Sequence, residues 1–306
     1  MNNPKISVLM PVYNAENFLK EAIDSILNQT FKDFEFFIIN DASTDNSKKI
    51  IMSYNDKRIR HLENKKNLGV AGTLNRGLKL AEGKYIARMD ADDIAYSQRL
   101  QIEYNEIIKD AKVAVVASFY DVIDENGKYL YTVKDSSSAE EIYYALQFRN
   151  CLGHPTVIFN KEIIINEFGG YDEKYEAEDY DLWLRLASRY KFRKIKKSLL
   201  KLRIHPKSRI GSFGNYINKS AFLLARNNLS SIINQPINIK TAKILTNYQE
   251  NKPSSNEIKL AIQALRKINK WIIQCCPNFL DKLKITKVAR RKEKDLMKKY
   301  IISLIF

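Results

Sequence analysis

Cysteine is scarce in this chain, and the few cysteines present exclude a disulfide-based fold. The 306 residues contain three, Cys151, Cys275 and Cys276, and no Cys-x-x-Cys pair occurs. An odd number of cysteines argues against a disulfide framework. Three free thiols suit a reducing compartment, so the sequence predicts a cytoplasmic protein.

Long hydrophobic runs are also absent. No apolar run reaches the roughly 20 residues that a transmembrane helix requires, and the apolar stretch 6–11 is too short for the core of a signal peptide. With 45% hydrophobic and 28% charged residues, the composition is typical of a folded globular protein and not of a disordered one.

Acidic residues are in deficit, and the excess positive charge is concentrated late in the chain. Lys and Arg total 51 against 35 Asp and Glu, which gives a formal net charge of +16. Positions 191–209 hold nine basic and no acidic residues, and positions 255–306 hold thirteen basic and four acidic residues. Such a surface can meet nucleic acid, an anionic membrane or a polyanionic substrate, and composition does not choose among them.

The first part of the chain alternates between two kinds of segment. Short apolar runs predict strands at 5–12, 34–39, 59–62 and 85–89, and amphipathic stretches between them predict helices at 16–29, 43–54 and 69–81. This order predicts an α/β fold with a mainly parallel sheet flanked by helices.

The pattern is less regular after residue 93. It predicts helices at 94–110, 139–148, 161–167 and 178–190, strands at 112–119, 156–159 and 198–205, and a hairpin-like turn at 124–127. We predict a catalytic domain over residues 1–215 and a basic C-terminal region over residues 216–306, with helices at 215–232, 238–249 and 255–273.

Polar side chains follow three of the predicted strands. Tyr13 and Asn14 come after the first, Asn40 and Asp41 after the second, and an acidic segment after the fourth. Ligands of parallel α/β sheets bind beyond the carboxyl ends of the strands, which lie at one edge of the sheet. The sequence therefore predicts a binding site at this edge.

The acidic segment, RMDADD at 88–93, has three aspartates in four positions. Asp90 and Asp92 are two residues apart, so their side chains can point the same way. Carboxylates this close repel each other unless a cation intervenes, and a hard divalent ion, Mg²⁺ or Mn²⁺, takes oxygen ligands. The alternative interpretation is that Asp92 or Asp93 caps a helix beginning near Ile94. The position at the edge of the sheet favours the metal.

Five sequence blocks follow one another along residues 5–210: ISVLMPVYNAENFLKEAIDSILNQT, IINDASTDNS, NLGVAGTLNRGL, GKYIARMDADD and EAEDYDLWLRL. Each block is weakly specific alone, but together they resemble the inverting glycosyltransferases of family 2, which have the Rossmann-like GT-A fold. The resemblance implies that a nucleotide-diphosphate sugar donates its sugar to an acceptor hydroxyl, with inversion at the anomeric carbon.

The resemblance assigns the acidic segment to the DxD motif of the family. It implies that Asp92 holds the metal on the diphosphate and that Asp90 contacts the ribose or the metal. It also places His205, after the last predicted strand, near the diphosphate and on the metal. Arg203 and Lys207 flank this histidine and are expected either to screen phosphate charge or to form a solvated basic loop.

The resemblance further implies a nucleotide site. Asp41 matches the nucleotide-binding aspartate, whose carboxylate can accept the N3–H of uracil. Asn40 and Ala42 replace the Asp and Gly common in the family at the neighbouring positions, which puts one base or ribose contact in doubt. The alternative for Asp41 is a turn residue that caps the helix at 43–54. Arg88 contacts the nucleotide or forms an ion pair with Asp90 or Asp93.

Two further segments of the nucleotide site follow from the same resemblance. Pro11, Tyr13 and Asn14 match the opening loop, where the aromatic ring lies near the base. Asn67 and Gly69 match a loop at the start of a helix, whose backbone N–H groups face phosphate or base. A plain turn before a helix is the alternative for the second segment.

The block EAEDYDLWLRL implies the catalytic base. By resemblance Asp179 takes the proton of the acceptor hydroxyl, with Glu178 beside it in the acceptor pocket. An acidic helix N-terminus stabilised by the helix dipole is the alternative. His154 is expected either on the acceptor side or as a structural histidine, and Trp183 in the core.

The predicted function is therefore metal-dependent transfer of a hexosyl or N-acetylhexosaminyl group, with UDP-sugar as the expected donor. A sugar-phosphate nucleotidyltransferase is the alternative enzyme, but PVYNAENF lacks the glycine-rich phosphate loop of that class. A non-catalytic nucleic-acid binder would need basic residues at the sheet edge, which is acidic, so no specific nucleic acid is expected.

The C-terminal region combines basic and apolar residues at helical spacing. Ile262, Leu265, Ile268 and Trp271 recur beside Lys267 and other basic residues. This pattern fits the anionic inner surface of a membrane, where lipid-linked saccharide acceptors of surface polysaccharides and glycolipids are assembled. A helical subdomain or an oligomer interface fits it as well.

Overall fold

A computed structural model describes residues 3–206, 208–248, 252–276 and 279–305. The chain divides into two compact units. The first comprises Met1–Ser137 and Leu152–Phe213, and the second comprises Ser138–Cys151 and Gly214–Phe306. All candidate site residues lie in the first unit.

The first unit is built on one sheet. The strands run in the order β3-β2-β1-β4-β8-β6-β9-β5, with β7 paired to β6. Their bounds are Ile6–Val12 (β1), Phe34–Asn40 (β2), Ile59–Glu63 (β3), Tyr85–Arg88 (β4), Ile94–Ala95 (β5), Val113–Ile123 (β6), Tyr129–Val133 (β7), Ile158–Asn160 (β8) and Lys191–Arg203 (β9).

Strands β1 to β4 form a fully parallel set, as their connecting helices require. Beyond them β8 is antiparallel to both of its neighbours, β4 and β6, whereas β6 and β9 are parallel to each other. The predicted α/β architecture, a mainly parallel sheet flanked by helices with a helical C-terminal region, is confirmed.

Helices cover the sheet of the first unit because the apolar residues of its strands alternate between two faces. Ile6, Val8 and Met10 of β1 join the core cluster that also contains Ile23 and Ile26. The opposite face meets the helix Gly69–Leu80, where a Cβ added to Gly77 would lie 2.7 Å from Ile39 Cδ1. The helices of this unit are Leu19–Leu27 (α1), Ser47–Met52 (α2), Gly69–Leu80 (α3), Arg99–Ile107 (α4) and Glu178–Ala187 (α6).

The structure differs from the predicted elements around residue 94. The segment predicted as one helix over 94–110 begins with the short strand β5, which pairs antiparallel with β9, and α4 starts only at Arg99. The final strand begins at Lys191 instead of residue 198, and β7 was not predicted. The strand predicted at 156–159 is β8, which starts two residues later and follows a 3-10 turn at His154–Thr156. The helix predicted at 161–167 is present and contains a π-helical turn at Ile163–Glu167.

The second unit is helical and has a hydrophobic core of its own. Its elements are Ala139–Leu146 (α5), the later part of Arg209–Ile232 (α7), Ile239–Thr246 (α8), Ser255–Gln274 (α9) and Phe279–Ile305 (α10). The sequence analysis did not place α5 in this unit and did not predict α10. Leu265, Ile268 and Ile272 of α9 are buried with Tyr144 and Ile285. Among the described residues, no helix combines the length and hydrophobicity needed to cross a membrane.

Candidate active site

The loops that follow β1 and β2 are joined by side-chain hydrogen bonds. Asn14, which has a left-handed φ of 51° that Asn tolerates well, accepts the N–H of Thr44 through Oδ1 at 2.8 Å. Its own N–H donates to Oγ of Ser43 at 3.1 Å. Pro11 lies within β1 and Tyr13 is 53% exposed at its end. Tyr13 is thus accessible to a ligand, whereas the side chain of Asn14 holds two loops together.

Asp41 follows β2 and caps α3, not the helix nearest in sequence. Its Oδ1 accepts the N–H of Leu68 at 2.8 Å, and its Oδ2 accepts the N–H of Gly69 at 3.0 Å. Asn64 donates to Oδ1 as well, at 2.7 Å. Asp41 is 3% exposed. Since a carboxylate offers about four acceptor sites, one site on Oδ2 receives no hydrogen bond from the part of the chain that the structure describes.

The start of α3 is organised by this carboxylate. Gly69 has a φ of 73°, and its N–H is shared between Asp41 and Oδ1 of Asn67. The N–H groups of Leu68 and Gly69 are thus engaged within the protein and not directed at a phosphate. The alternative that Asp41 caps the helix predicted at 43–54 is wrong. That helix is shorter, Ser47–Met52, and its first N–H, that of Ser47, donates to Oδ1 of Asp45 at 2.9 Å.

The three aspartates of the acidic segment converge. One carboxylate oxygen from each of Asp90, Asp92 and Asp93 lies within 4.8 Å of the others. An all-oxygen donor set of this size suits Mg²⁺ or Mn²⁺, so these residues fit the metal that the sequence predicted. Asp90 and Asp92 are partly exposed, whereas Asp93 is buried.

Arg88 precedes this cluster and pairs with Asp90. Its guanidinium is 3% exposed and forms an ion pair with the Asp90 carboxylate. Burial alone would lower the pKa of Arg88, but the charge and hydrogen bonding of Asp90, followed by the charge of Glu178, raise it. The buried Nε–H of Arg88 has no hydrogen-bond acceptor among the described residues. This donor is free for an anionic ligand.

Asp93 belongs to the internal framework of the site, and the prediction that it or Asp92 caps the next helix is wrong. Its Oδ1 accepts the backbone N–H of Arg203 at 2.9 Å. Because β5 intervenes, α4 begins six residues later in the chain, with no side-chain cap. Burial first, and then the charges of Asp92 and Asp90, raise the pKa of Asp93 well above its ordinary range.

Arg203 is buried and does not screen phosphate charge. Its side chain is 2% exposed, and Nε donates to the backbone oxygen of Asp92 at 2.9 Å. Nη1 donates to the backbone oxygen of Glu125 at 3.0 Å, and Nη2 pairs with Glu21. The expectation that Arg203 screens phosphate charge is therefore wrong, because its N–H groups are used within the protein, including the one that holds the backbone oxygen of Asp92. Lys207 lies outside the described residues.

His205 follows β9 and contacts one residue of the acidic cluster. Its Nε2 lies 3.1 Å from Oδ2 of Asp92. The imidazole packs against Phe18 in a tilted arrangement at a centroid distance of 4.7 Å, and the guanidinium of Arg203 lies 4.7 Å from the same ring. The strand β9 thus brings a nitrogen ligand beside the predicted metal carboxylates.

Glu178 and Asp179 lie in the first turn of α6, where acidic residues also favour the helix dipole. Glu178 is 3% exposed, and Oδ1 of Asp179 accepts the backbone N–H of Tyr180 at 2.8 Å. Asp179 is more exposed than its neighbour. Asp179 is therefore the better placed of the two to meet an acceptor.

His154 is a buried structural residue in this arrangement. Its Nε2 hydrogen-bonds the hydroxyl of Tyr171 at 2.9 Å, and its Nδ1 lies 3.6 Å from Oε1 of Glu178. Trp183 is fully buried beside it, as predicted. With 8% of its surface exposed, His154 supports Glu178 and does not line an open acceptor site.

Tyr171 is held by an amide from α3. Asn75 accepts the N–H of Tyr171 at 2.9 Å and donates to its carbonyl oxygen at 2.9 Å. Gly170 has a φ of 88°, and an added Cβ there would lie 2.6 Å from Oδ1 of Asn75. The glycine before Tyr171 is thus required by the backbone conformation and by the close approach of Asn75.

Sequence reasoning missed the residues that support the acidic segment. Phe18, Arg99 and Glu103 were not among the predicted site residues. Both charged residues are fully buried on α4, and Glu103 lies one helical turn before the buried Ile107. The sequence did contain a signal for their burial, because two opposite charges four residues apart share one helix face with an apolar residue.

Comparison with known proteins identifies the class of enzyme that this fold and site represent, the glycosyltransferases. Residues 7–165 match the family model of glycosyl transferase family 2. The chain belongs to this family and is a glycosyltransferase. The alternatives of a nucleotidyltransferase and of a nucleic-acid binder are therefore set aside.

Relatives in several organisms support this assignment. An uncharacterized glycosyltransferase of Methanocaldococcus jannaschii is 38% identical over 211 residues, which span 67% of this chain and 72% of the relative. One from Rickettsia prowazekii is 36% identical over 66% of this chain and 65% of its own length. The O-antigen biosynthesis glycosyltransferase WbnJ of Escherichia coli is 33% identical over 66% of this chain and 81% of its own length.

Solved structures share the fold at low sequence identity. S. aureus TarS, residues 1–349 with UDP-GlcNAc, has a TM-score of 0.62 at 19% identity, over 97% of this chain and 89% of that one. The mannosyltransferase PcManGT from Pyrobaculum calidifontis, with GDP-Man and Mn²⁺, has a TM-score of 0.54 at 16% identity, over 99% of this chain and 88% of that one. These neighbours bind nucleotide sugars and establish the GT-A type of fold.

Proposed function

We propose that this protein transfers a sugar from a nucleotide-diphosphate sugar, with UDP as the nucleotide, to an acceptor hydroxyl with inversion and with the help of a divalent metal. The observation that carries the proposal is the convergence of carboxylate oxygens of Asp90, Asp92 and Asp93 beyond the end of β4, with Nε2 of His205 3.1 Å from Oδ2 of Asp92. TarS, a fold neighbour, is complexed with UDP-GlcNAc, and another neighbour with Mn²⁺.

Asp90 and Asp92, with Nε2 of His205, would hold Mg²⁺ or Mn²⁺. A bound divalent cation stabilises the negative charge that develops on a leaving diphosphate. Arg88 is placed to contribute as well, because its buried Nε–H lacks an acceptor among the described residues. A diphosphate oxygen at this position would satisfy that donor by a charge-assisted hydrogen bond.

The nucleotide would lie against the loops after β1 and β2. Tyr13 is accessible there, with Pro11 and Asn14 shaping the loop, and the unused acceptor site on Oδ2 of Asp41 can receive the N3–H of uracil. Asn67 and Gly69 contribute indirectly, because they fix this carboxylate through the N–H of Gly69.

Asp179 would act as the base. Inversion by direct displacement requires one carboxylate that removes the proton of the attacking hydroxyl. Glu178 lies beside His154, and its negative charge also raises the pKa of Arg88. Glu178 would therefore position α6 and would not react. Of the two carboxylates at the start of α6, Asp179 is the more accessible.

The reaction is tested by presenting the purified protein with UDP-, GDP- and other nucleotide sugars and measuring the nucleotide diphosphate released. Hexosyl and N-acetylhexosaminyl donors are compared with and without EDTA. Release from a UDP-sugar that EDTA abolishes and Mn²⁺ restores is expected. Turnover that EDTA leaves unchanged would contradict the metal assignment.

We also propose that residues 1–215 act as the catalytic domain and that the basic C-terminal region, residues 216–306, docks on the anionic inner face of the cell membrane. One exposed stripe of α9 carries Leu260, Lys267 and Trp271, with Lys259 and Lys270 beside it. Aromatic and aliphatic side chains enter a membrane interface while lysines meet anionic headgroups. A cytoplasmic, peripheral enzyme in this position would reach a saccharide or lipid-linked saccharide acceptor.

The docking is tested by co-sedimentation with vesicles of phosphatidylcholine alone or mixed with phosphatidylglycerol. The protein is expected to sediment with the anionic vesicles, and the triple variant K259E/K267E/K270E is expected to remain in the supernatant. Equal recovery with both vesicles would contradict electrostatic docking. We propose a role in surface polysaccharide or glycolipid synthesis, and the Escherichia coli relative is named for O-antigen biosynthesis.

A further inference from the structure

A buried ion pair lies against the acidic segment. Nε of Arg99 is 2.9 Å from Oε1 of Glu103, one turn further along α4, and both side chains are 0% exposed. Burying two charges is costly, and an apolar pair of similar volume often serves stability as well or better. Oε2 of Glu103 is buried without a hydrogen-bond partner among the described residues. Stability alone therefore does not account for this pair.

The remaining donors of Arg99 reach the residues just before Asp90. Nη2 donates to the backbone oxygen of Arg88 at 2.7 Å, and Nη1 contacts Sδ of Met89 at 3.4 Å. A guanidinium is planar and rigid, so contacts on three nitrogens define one orientation. Glu103 fixes the third of these nitrogens, Nε.

These contacts complete the anchoring of the chain before the acidic cluster. The N–H of Arg88 donates to the carbonyl of Val157 at 3.0 Å, and the N–H of Met89 donates to the carbonyl of Leu9 at 3.0 Å. Arg99 is the first residue of α4, which begins after the acidic segment and β5. Its side chain reaches back across that segment and donates to the carbonyl oxygen of Arg88. One side chain thus closes the loop that carries all three aspartates.

We propose that Arg99, oriented by Glu103, is a positioning residue that holds Asp90 and Asp92 in the geometry that binds a divalent cation. The inference rests on the metal dependence in the proposed function. The effect is geometric, because Arg99 acts through the backbone oxygen of Arg88 and Sδ of Met89, which precede the aspartates in the chain. Lysine would keep the charge of Arg99 but would not reproduce three directed contacts.

The test separates positioning from folding by removing both charges together. The double variant R99M/E103L retains side-chain volume and leaves no unpaired buried charge, so a thermal midpoint close to wild type is expected. Mn²⁺ affinity is measured without donor or acceptor, from the electron paramagnetic resonance signal of free Mn²⁺. Loss of a residue that orients metal ligands typically weakens metal binding by about 10–100-fold, and this is the expected loss.

Matched variants define the comparison. R193M/E106L removes the pair of Arg193 and Glu106, which also involves α4 but is partly exposed and does not contact the acidic segment, and should bind Mn²⁺ as the wild type does. E103Q keeps an acceptor for Nε of Arg99 and should retain most of the affinity. R99K, which keeps the charge pair, should lose affinity in the same direction as the double variant.

The outcomes are distinct. A folded double variant with wild-type Mn²⁺ affinity would overturn the positioning role and leave the proposed function intact. Should the double variant fail to fold, wild-type Mn²⁺ affinity in R99K would overturn the positioning role of Arg99 in the same way. A wild-type protein that binds no Mn²⁺ would instead overturn the metal dependence of the proposed function.

Discussion

Nε2 of His205 lies 3.1 Å from Oδ2 of Asp92, although 113 residues separate them in the chain. The contact exists because β9, which ends two residues before His205, pairs with β5, which begins two residues after Asp92. The antiparallel register of Ile94 with Lys201 and of Ala95 with Leu200 sets the distance between imidazole and carboxylate. A two-residue strand therefore assembles the proposed metal site.

Replacing His205 by Ala should weaken metal binding without removing it. Asp90 and Asp92 remain as oxygen ligands, so the Mn²⁺ concentration for half-maximal turnover should rise by about 10–100-fold while the rate at saturating Mn²⁺ changes less. A titration of donor turnover with Mn²⁺ measures both quantities. An unchanged midpoint would show that the imidazole is not near the cation in the working enzyme.

Asp179→Asn should abolish transfer but preserve donor binding. The amide is isosteric yet cannot accept a proton, and loss of a general base typically costs about 10²–10⁴-fold in rate. Acceptor-dependent release of nucleotide diphosphate measures turnover, and calorimetry with the donor measures binding. Glu178→Gln is the comparison, and a smaller rate loss is expected for it. Full activity of D179N would contradict the base assignment.

Asp41→Asn should destabilise the protein as well as weaken nucleotide binding. All three donors to this carboxylate are N–H groups, so the NH₂ of Asn must face at least one of them. An unmatched buried donor costs about 1–3 kcal/mol, which urea unfolding would register. Asn67→Ala removes only a shared acceptor of Gly69 and should cost much less. Equal losses in the two variants would contradict the capping role of Asp41.

Ala42→Gly should stabilise the fold. Ala42 has a φ of 59°, a left-handed conformation that costs a residue with a Cβ about 1–2 kcal/mol and costs Gly little. Because Gly has more conformational freedom in the unfolded chain, the substitution also lowers stability by about 0.5–1 kcal/mol. A net gain of up to about 1 kcal/mol in the free energy of unfolding is expected. A loss of stability on urea unfolding would show that the Ala42 methyl makes compensating contacts.

The pH dependence of stability should change when Glu103 is replaced. Burial raises the pKa of Glu103 to about 7, although the charge of the adjacent Arg99 opposes the increase. The folded state thus binds this proton more tightly than the unfolded chain, where the pKa is near 4.3, so the contribution to stability is present at low pH and is lost as pH rises through 7.

The measurement is the free energy of unfolding at pH 5 and pH 8 for the wild type and E103Q. The fall in stability between the two pH values should be smaller in E103Q, because Gln does not titrate. Identical pH dependence of the two proteins would show that Glu103 remains ionised beside Arg99 across this range.

The order of elements up to β4 could be predicted because its signals are local. Apolar β-branched runs such as that of β2 and the helical spacing of α1 depend only on near neighbours in sequence. The convergence of polar residues at one sheet edge then follows from the parallel pairing of β1, β2 and β4.

The elements that could not be predicted depend on distant partners. The segment Ile94–Ala95 has no strong strand signal and becomes a strand because β9 supplies its partner. The same pairing displaces the start of α4 to Arg99, so Asp93 receives the N–H of Arg203 instead of capping a helix. Helix propensity of residues 94–98 is overridden by tertiary hydrogen bonding.

The sequence by itself determined the α/β order and the types of residue that meet at the sheet edge, since these follow from local periodicity, and its five blocks were enough to show a resemblance to the family. Only the tertiary structure decided how the basic residues near the site are used. Arg203, which was expected near phosphate, is buried and donates to the backbone oxygen of Asp92. Arg99, which was not predicted as a site residue, donates to the backbone oxygen of Arg88, two residues before Asp90. A buried guanidinium is directed by the acceptors that the fold places around it, and sequence distance carries no information about those acceptors.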